Sequence, residues 1–567
     1  MVFEPMLKKY LPQPPAAPAQ KQTAPPQAAP ATATTAPVPA AAAKAGKKAP
    51  AVAENKQAAT ETETVIENGL YKITFTNRGA QVKSWILKKF DNDAQNGPLD
   101  LVNDAAAQKY GYPLSLWTYD AALNGKLNSA LYVASSTGAL AAPSDITFEY
   151  ADQDVTARKT FHFDHSYVVG VDVSVAYKGE QIFAAPAWPL GFGDQIAPSS
   201  YAAGRIEYHN DASTEHTALF FPSYVSRLSY KSISSGNTVK GPFEWGGASD
   251  QYFAALFIPS NPATAAMVTL RNALEVPKQQ GSNENTKVEP LGAAVGDLRG
   301  VTDERMYVGP KELAVLESVS VPTIHGDHAD LRGIVDFGWW GLLARPLFLW
   351  LKWTYRHMWP NWGWAIVIQT FIITAALLPL RITQMKSMLK MQRVAPQIKS
   401  IQEKYKKYSL RDPRKAAMNE EISGLYKKEG VNPAGGCLPM LIQLPFLYAY
   451  YRMLAVAIDL RHAHWLWITD LSARDPYFLL PILMVISMFA MQRMTPQAGM
   501  DPSQQKMMNW MMPLFMGFIF FNLQAGLNLY YAETNLISIA QQAVMNRTKL
   551  GKEMREMMAK RARKKEK

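Results

Sequence analysis

The stretch NWGWAIVIQTFIITAALLPLRITQMKS, residues 361–387, begins as a long apolar run and ends as a basic segment. Residues 361–380 carry no charge, and as a helix they are long enough to cross a hydrocarbon core of about 30 Å. Thr370 and Thr374 lie one helical turn apart within this run, so their hydroxyls share one face. The composition therefore predicts a membrane-spanning helix with polar groups on one side.

Further apolar stretches follow, and residues 361–546 are predicted to form an all-helical transmembrane core. Its five spans are predicted at 361–380, about 437–457, 477–495, 508–526 and 527–545. The last two spans meet at QAGLN and form a short hairpin. Residues 326–360 are rich in aromatic residues with basic residues between them, a pattern that suits an amphipathic helix lying in the membrane interface.

The net charge of +12 comes from two short segments. Residues 381–430 carry a net charge of +8 and the tail 547–567 one of +7, so the remainder is slightly acidic. Because Lys and Arg concentrate in cytoplasmic loops, both segments are predicted to be cytoplasmic. With an odd number of spans, everything before residue 361 is then predicted to lie on the opposite side of the membrane.

The N-terminal half contains a linker and a β-rich domain. Alanine and proline fill 29 of the 50 positions from 11 to 60, so residues 1–61 are predicted to be a disordered linker. Residues 62–325 contain alternating runs such as SYVVGVDVSVAYKG (166–179), which predict an antiparallel β-sandwich. Because the linker has no apolar segment that could export this domain, we expect a signal-anchor helix upstream of Met1.

The two basic segments each allow two interpretations. Residues 381–430 are predicted to form an antiparallel helical hairpin, broken near SLRDP and packed along a stripe that includes Met388, Met391 and Ile398. This hairpin is either a solvated connector or a docking arm for RNA-rich or acidic partners or for a targeting factor. The basic tail either anchors the chain at anionic lipid or contacts ribosomal RNA.

Uncharged polar residues recur inside the predicted spans. In the last span Asn528, Tyr531, Asn535 and Ser538 are spaced along one helical face. With the two threonines and Gln443 they place hydrogen-bonding groups at hydrocarbon depth, where an unsatisfied group is costly. They either bond one another between packed helices or line a wet cavity.

The sequence also predicts which way two further side chains of the spans point. Glu533 is predicted to point to roughly the opposite side of the last span from these polar groups, where an acid requires a partner or a position near the interface. Leu377 is predicted to face lipid.

Reactive residue types form no coherent catalytic or metal site. The histidines of HGDH (325–328) and HAH (462–464) have no supporting third and fourth ligands. The single cysteine, Cys437, excludes an internal disulfide framework and is predicted to be a small packing residue. No Ser/His/Asp set, phosphate-binding loop or paired-carboxylate motif stands out.

Several runs of this sequence resemble the YidC membrane protein insertases, a branch of the Oxa-type insertase family. In the core these runs are NWGWAIVIQTFI, PLRITQMKSMLKMQ, LYKKEGVNPAGGCLPMLIQLPF, DLSARDPYFLLPILM, DPSQQKM and AGLNLYYAETNL. Upstream, NRGAQVKSW, QYFAALFIPS and YVGP resemble the periplasmic domain of the Gram-negative branch. The resemblance implies a multi-pass protein of the bacterial inner membrane, with a periplasmic β-supersandwich and a cytoplasmic hairpin and tail.

The family inserts inner-membrane proteins and helps them fold, through a hydrophilic groove open to cytosol and lipid. Thr370 and Tyr531 match family positions that touch the substrate, which favours the wet cavity. The implied groove residues are Gln369, Thr370, Thr374, Gln443, Asn528, Tyr531 and Asn535. The family typically carries a basic residue where this chain has Thr374, so we hypothesise that Arg381 is the cation at the groove mouth. The resemblance implies neither an enzyme nor a cofactor.

The implied partners are nascent inner-membrane proteins, the ribosome, the signal recognition particle and its receptor, the SecYEG translocon and membrane lipids, but not DNA. Ribosome and targeting contacts are assigned to Lys404, Lys406, Lys407, Arg561, Arg563, Lys564 and Lys565. An alternative is a membrane-anchored carbohydrate-binding or mutarotase-like protein, although the sequence offers no His/acid set for it. A small-solute transporter would require inverted repeats among the spans, and none is evident.

Overall fold

The computed structural model describes residues 55–193, 204–209, 225–228, 230–277, 284–324, 328–405, 412–430, 438–494 and 507–549, with the single positions 408, 552, 553 and 556. Every described residue belongs to one compact unit, Val52–Lys567. The predicted linker therefore lies almost entirely outside the described residues.

The described chain is β-rich from Glu63 to Ala329. The strands are β1 (Glu63–Glu67), β2 (Tyr71–Thr76), β3 (Gln81–Asp91), β4 (Pro98–Asp100), β5 (Ser115–Trp117), β6 (Val133–Ala134), β7 (Gly138–Ala141), β8 (Ser144–Ala151), β9 (Val155–Phe163), β10 (Val168–Tyr177), β11 (Glu180–Gln181), β12 (Ala185–Trp188), β13 (Arg205–His209), β14 (Val225–Leu228), β15 (Asn237–Lys240), β16 (Trp245–Ser249), β17 (Phe253–Pro259), β18 (Ala265–Arg271), β19 (Leu274–Pro277), β20 (Asn285–Val288), β21 (Leu291–Asp297), β22 (Val301–Pro310), β23 (Val321–Pro322) and β24 (His328–Ala329).

Most of these strands form three sheets. The largest sheet has ten strands in the order β14-β13-β16-β17-β22-β10-β9-β8-β6, with β11 beside β10. Two five-stranded sheets have the orders β4-β3-β2-β1-β7 and β15-β18-β21-β12-β5, and β1 and β7 pair in parallel. Phe75 of β2 lies 5.0 Å, between ring centroids, from Phe161 of β9, so two sheets pack face to face. The predicted β-sandwich is confirmed.

Strand β10 shows why this sequence forms the sandwich. Val169, Val171, Val173 and Val175 are all buried, while the residues between them are only partly covered. Val171 lies opposite Phe161 on β9 and Glu304 on β22. The alternation read from the sequence is therefore the alternation of the buried face.

One charged side chain is enclosed within this sandwich. Lys159 of β9 is fully buried, and its Nζ donates to the carbonyl oxygens of Gly79, Ala80 and Leu114 at 2.7, 3.0 and 2.7 Å. Burial lowers the pKa of Lys159 well below its usual value. The lysine thus satisfies three carbonyl groups that secondary structure leaves without donors.

The described helices are α1 (Asp104–Tyr110), α2 (Ala121–Ser129), α3 (Leu313–Glu317), α4 (Gly341–His357), α5 (Trp362–Ala376), α6 (Leu378–Lys404), α7 (Arg414–Lys428), α8 (Leu438–Val456), α9 (Leu479–Met494), α10 (Met512–Phe520) and α11 (Ala525–Arg547). A π-helical turn, Met507–Met511, precedes α10. Among the described residues, no helix combines the length and the apolar character needed to cross a membrane.

The first predicted span does not continue as one helix to residue 380. Helix α5 ends at Ala376 and α6 begins at Leu378, so the basic segment belongs to a helix that starts within the predicted span. Pro379 lies in the first turn of α6, where a missing backbone N–H costs least. The Leu377 N–H still donates to the Ile373 carbonyl oxygen at 3.0 Å, so the helical turn continues from α5 into α6.

The hairpin predicted at 381–430 corresponds to the packing of α6 against α7. Val394 and Ile398 of α6 are buried against Ile422, Leu425 and Tyr426 of α7, with Met391 at the edge of the contact. The helices are interrupted between Lys404 and Arg414, where the break was predicted. Val394, absent from the predicted stripe, lies at the centre of the contact, and the side chain of Met388 lies outside the described residues.

A charged cluster joins the β-rich part to α8. The Asp336 carboxylate forms ion pairs with three arginines: Arg452 of α8, Arg205 of β13 and Arg227 of β14. The N–O distances are 2.9, 3.2 and 4.0 Å, respectively. Burial alone would raise the pKa of Asp336, but Arg227 and Arg452 outweigh it, and the pKa is lowered to about 2. The aspartate thus links the sandwich to the helical region.

Candidate functional site

Two threonines of α5 begin the candidate site, and both are buried. The Thr370 hydroxyl donates to the carbonyl oxygen of Ile366 at 2.7 Å, and the Thr374 hydroxyl donates to the carbonyl oxygen of Thr370. Such bonds to the preceding turn satisfy a hydroxyl within its own helix. These two donors therefore do not bridge helices, whereas the oxygens keep lone pairs that can accept a further hydrogen bond.

Gln369 joins three helices at the end of the site nearer the β-rich part. Its Nε2 donates to the carbonyl oxygen of Leu347 on α4 at 2.9 Å, and its Oε1 accepts from Tyr450 Oη on α8 at 2.6 Å. The Tyr450 ring stacks on Tyr530 of α11, with centroids 4.1 Å apart. The Gln369 amide, the Tyr450 phenol and the stacked Tyr450 and Tyr530 rings are buried and close this end of the site.

Arg381 lies at the other end, near the start of α6. Its guanidinium donates to Gln541 Oε1 at 3.0 Å and to Ser538 Oγ, both on α11. Gln541 Nε2 in turn donates to the carbonyl oxygen of Thr374 at 3.4 Å. Among the described residues, the hydrogen-bond partners of Arg381 are neutral, so no carboxylate offsets its charge.

These groups form a continuous polar row along α5, α6 and α11, which we call the polar track. Its members are Gln369, Thr370, Thr374, Arg381, Ser538 and Gln541. Beside it lies a cavity of about 20 Å³, lined partly by Thr370, Thr374, Arg381 and Thr534. That volume holds about one water molecule.

Leu377 also lines this cavity, so the prediction that it faces lipid is wrong. Leu377 follows Thr374 by three residues, and its N–H still donates to the Ile373 carbonyl oxygen at 3.0 Å, so it lies on the same helical face as the threonine. Phe371, by contrast, has 59% of its surface exposed and points away from the site.

The other predicted groove residues of α11 face different neighbours. Asn528 Nδ2 donates to the carbonyl oxygens of Phe520 and Leu523 at 3.1 and 3.3 Å, which caps the end of α10. Asn535 Nδ2 donates to Ser487 Oγ of α9 at 3.1 Å. The Tyr531 ring packs against Phe520 with centroids 4.8 Å apart. These three residues hold α9 and α10, whereas Ser538 serves the polar track.

Glu533 lies on a different side of α11 from these three residues. Its half-buried carboxyl lies beside the Thr370 hydroxyl, on the side of α11 that packs against α5. The acid therefore lies away from Asn528, Tyr531 and Asn535, as predicted, but on the side of α11 that borders the polar track. Within the described part of the chain, its Oε2 is buried without a hydrogen-bond partner.

Some predicted residues lie outside the description. These are the side chain of Gln443 and the whole of His325, Lys406, Lys407, Cys437, Arg561, Arg563, Lys564 and Lys565. Lys404 is exposed and pairs with Glu421 of α7 at 3.2 Å. Among the described residues, no group of three or more His, Cys, Asp or Glu could hold a metal ion.

Sequence reasoning missed two polar partners. Gln541 lies three residues after Ser538, so helical spacing would have placed it on the face that meets Arg381. Tyr450 gave no such signal, because LYAYY reads as an ordinary aromatic stretch of an apolar helix.

Comparisons with known proteins cover nearly all of the described chain. The family described as 60Kd inner membrane protein matches residues 353–553, and the family described as YidC periplasmic domain matches residues 63–350. Membrane protein insertase YidC of Citrifermentans bemidjiense is 33% identical over 504 residues, 86% of this chain and 86% of the relative. The insertase of the same name from Geotalea uraniireducens is 31% identical over 563 residues, 97% of this chain and 96% of the relative.

Among solved structures, the chain is similar to an active YidC insertase crystal structure with its first transmembrane domain resolved. The two sequences are 18% identical, the match covers 88% of this chain and 95% of the other, and the TM-score is 0.35.

Proposed function

The chain belongs to the YidC family of membrane protein insertases, and we propose that its polar track receives the hydrophilic segment of a nascent inner-membrane protein during insertion. Insertion makes and breaks no covalent bond, so the track needs no catalytic residue. Its task is to lower the free energy of a polar peptide segment on its way through hydrocarbon.

The hydrogen bonding of the track supports this role. Backbone N–H and C=O groups cannot be left unsatisfied in hydrocarbon. At rest the hydroxyls of Thr370 and Thr374 donate to their own helix, so the empty track carries no unsatisfied donor at these positions. Their oxygens can still accept from a substrate N–H. The track is therefore stable when empty. Because both threonines are buried beside a cavity for about one water molecule, α5 and α11 have to separate before polar backbone can bind there.

The two ends of the track differ, which gives the path a direction. The Gln369–Tyr450 bond and the Tyr450–Tyr530 stack close the end nearer the β-rich part. The other end carries Arg381 and leads into α6, which continues as the basic hairpin. A substrate segment therefore enters from the hairpin side, where Arg381 meets it first.

The proposed topology follows from this direction. We assign the β-sandwich to the periplasm and the hairpin and basic tail to the cytoplasm. Helix α4 buries Leu347, Phe348 and Leu351 but exposes Leu349 and Trp353, which suits a helix lying in the membrane interface. Its contact with Gln369 would couple the track to that interface.

The α6–α7 hairpin and the basic tail are the parts we assign to targeting partners. These partners are the ribosome, the signal recognition particle and its receptor, the SecYEG translocon and anionic lipid. The hairpin is held by a small apolar contact around Val394 and Ile398, which leaves most of its charged surface exposed. Lys404 is available to such a partner only in competition with Glu421.

Replacing both track threonines tests the proposal, which rests on the continuous polar row from Gln369 to Arg381. The full chain, reconstituted in liposomes, would receive a single-span substrate during translation, and protease protection would report insertion. Thr370→Val with Thr374→Val keeps the side-chain shape and should slow insertion several-fold. Thr383→Val is the matched control, because Thr383 makes the same bond to the preceding turn but is exposed. Equal insertion by both variants would contradict the proposal.

A further inference from the structure

Glu533 is an acid in a region with few charges. It is the only Asp or Glu in α5, α8, α9, α10 and α11. An acid in such surroundings is costly unless it has a partner. Within the described chain, Glu533 forms no ion pair, and its Oε2 has no hydrogen-bond partner.

The neighbouring cations of the chain have other partners. Arg452, which lies one turn before the end of α8, binds Asp336 at 2.9 Å. Arg381 is held by Ser538 and Gln541. The remaining described cations of these helices, Arg493 and Arg547, lie in the last turns of α9 and α11. Within the described part of the chain, no side chain therefore neutralises this carboxyl beside the track.

The acid and Arg381 occupy different levels of the track. Glu533 is level with Thr370, whereas Ser538, which holds Arg381, follows five residues later on α11, about 7.5 Å along the helix axis. A segment that enters past Arg381 thus reaches the carboxyl near the closed end. A cation at one depth and an acid at another can distinguish substrates by the sign and position of their own charges.

We propose that Glu533 is a specificity residue that selects substrate segments carrying an ammonium or guanidinium group. This inference rests on the proposed function of the track. A substrate lysine or arginine at the level of Thr370 supplies the missing partner of the carboxyl, and each charge reduces the desolvation cost of the other. A substrate carboxylate at the same level is repelled.

The test is a set of three substrates inserted by the full chain in liposomes. The substrates share one span and differ at one position of the translocated segment, which is Lys, Gln or Asp. Glu533→Gln should reduce insertion of the Lys substrate relative to the Gln substrate by roughly three- to tenfold, the range expected for a partly buried charge pair. It should leave the Gln substrate unchanged and should not slow the Asp substrate.

Two controls separate this effect from loss of folding and of insertion itself. Glu553→Gln removes a carboxylate that is exposed and pairs with Arg393, and it should leave the Lys-to-Gln ratio unaltered. Glu533→Lys should reverse the preference in favour of the Asp substrate. An unchanged ratio in both Glu533 variants, with the neutral substrate still inserted, overturns the specificity role alone. Failure of the unaltered protein to insert any of the three overturns the proposed function, and the specificity role with it.

Discussion

The guanidinium of Arg381 on α6 donates to Gln541 Oε1 on α11 at 3.0 Å. This bond joins a cation to a neutral amide, so it orients the guanidinium without removing its charge. The structure thus places a cation at the hairpin end of the polar track, in a chain that has threonine at position 374.

Removing this charge should affect substrates according to their own charge. Arg381→Gln should slow insertion of a substrate with an acidic translocated tail by about fivefold, which corresponds to about 1 kcal/mol of lost attraction. A neutral tail should be inserted at the original rate. Arg393→Gln, on the exposed part of α6, is the control and should change neither rate. An equal loss for both tails would argue that Arg381 only supports the fold.

The Asp336 cluster should make the junction of sandwich and helices sensitive to acid. The folded-state pKa of about 2 lies below the ordinary value of 3.8, so the carboxylate stabilises the fold fully above about pH 4. That contribution is lost as the pH falls from about 4 towards 2. Asp336→Asn should therefore lower the Tm at pH 7, by an amount equivalent to about 2 kcal/mol.

Thermal unfolding of the full chain in detergent, at several pH values, measures this effect. The difference in Tm between the unaltered protein and the Asn variant should shrink on acidification. Asp154→Asn, at an exposed position, should have little effect at any pH. A difference that stayed constant down to pH 3 would show that the carboxylate charge is not what stabilises the junction.

Lys159 should be required for the stability of the sandwich. Lys159→Met keeps the length of the side chain but leaves the carbonyl oxygens of Gly79, Ala80 and Leu114 without their donor. Each buried acceptor that is left without a donor lowers the free energy of unfolding by at most about 1–3 kcal/mol. The Tm should therefore fall by several degrees. Lys72→Met, on the exposed face of β2, should leave the Tm nearly unchanged. Equal effects of the two substitutions on the Tm would show that the hydrogen bonds from Lys159 to the three carbonyl oxygens do not stabilise the sandwich.

The packing of α5 against the segment before α9 depends on a glycine. A Cβ on Gly363 would lie 2.2 Å from the Trp465 ring, so Gly363→Ala should destabilise the protein by about 1–3 kcal/mol. Gly424→Ala, in α7, meets no atom within 4 Å and should instead stabilise its helix by up to about 1 kcal/mol. Opposite shifts of the Tm are expected, and a stabilising Gly363→Ala would contradict the close contact.

The sequence predicted correctly those strands and helices that a regular spacing or a continuous run of apolar residues reveals. The valines of β10 alternate because one face of the strand is buried, and that period can be counted without neighbours. The helices near 438–456, 479–494 and 525–547 likewise follow from apolar length. These features are local, so the sequence expresses them directly.

The site was harder to predict because it depends on how helices meet. Leu377 lines the cavity although it was predicted to face lipid, and its spacing of three residues from Thr374 already placed it on that face. Helix α11 touches several neighbours, so Asn535 and Ser538, assigned to one face, bond to α9 and α6 respectively. Glu533 was correctly placed away from Asn528, Tyr531 and Asn535, but helical spacing could not show that its side of α11 meets Thr370. Helical spacing fixes relative angles on one helix but not which neighbour occupies each angle.

The most direct test of the polar track is site-specific photocrosslinking to a ribosome-bound nascent membrane protein. Probes at Thr370, Thr374 and Arg381 would be compared with probes at Phe371 and Phe518, whose exposed fractions are 59% and 72%. The account predicts crosslinks from the track positions to the hydrophilic segment of the substrate, and none from the two phenylalanine positions to that segment. Crosslinks to that segment from Phe371 or Phe518, with none from the track during active insertion, would contradict it.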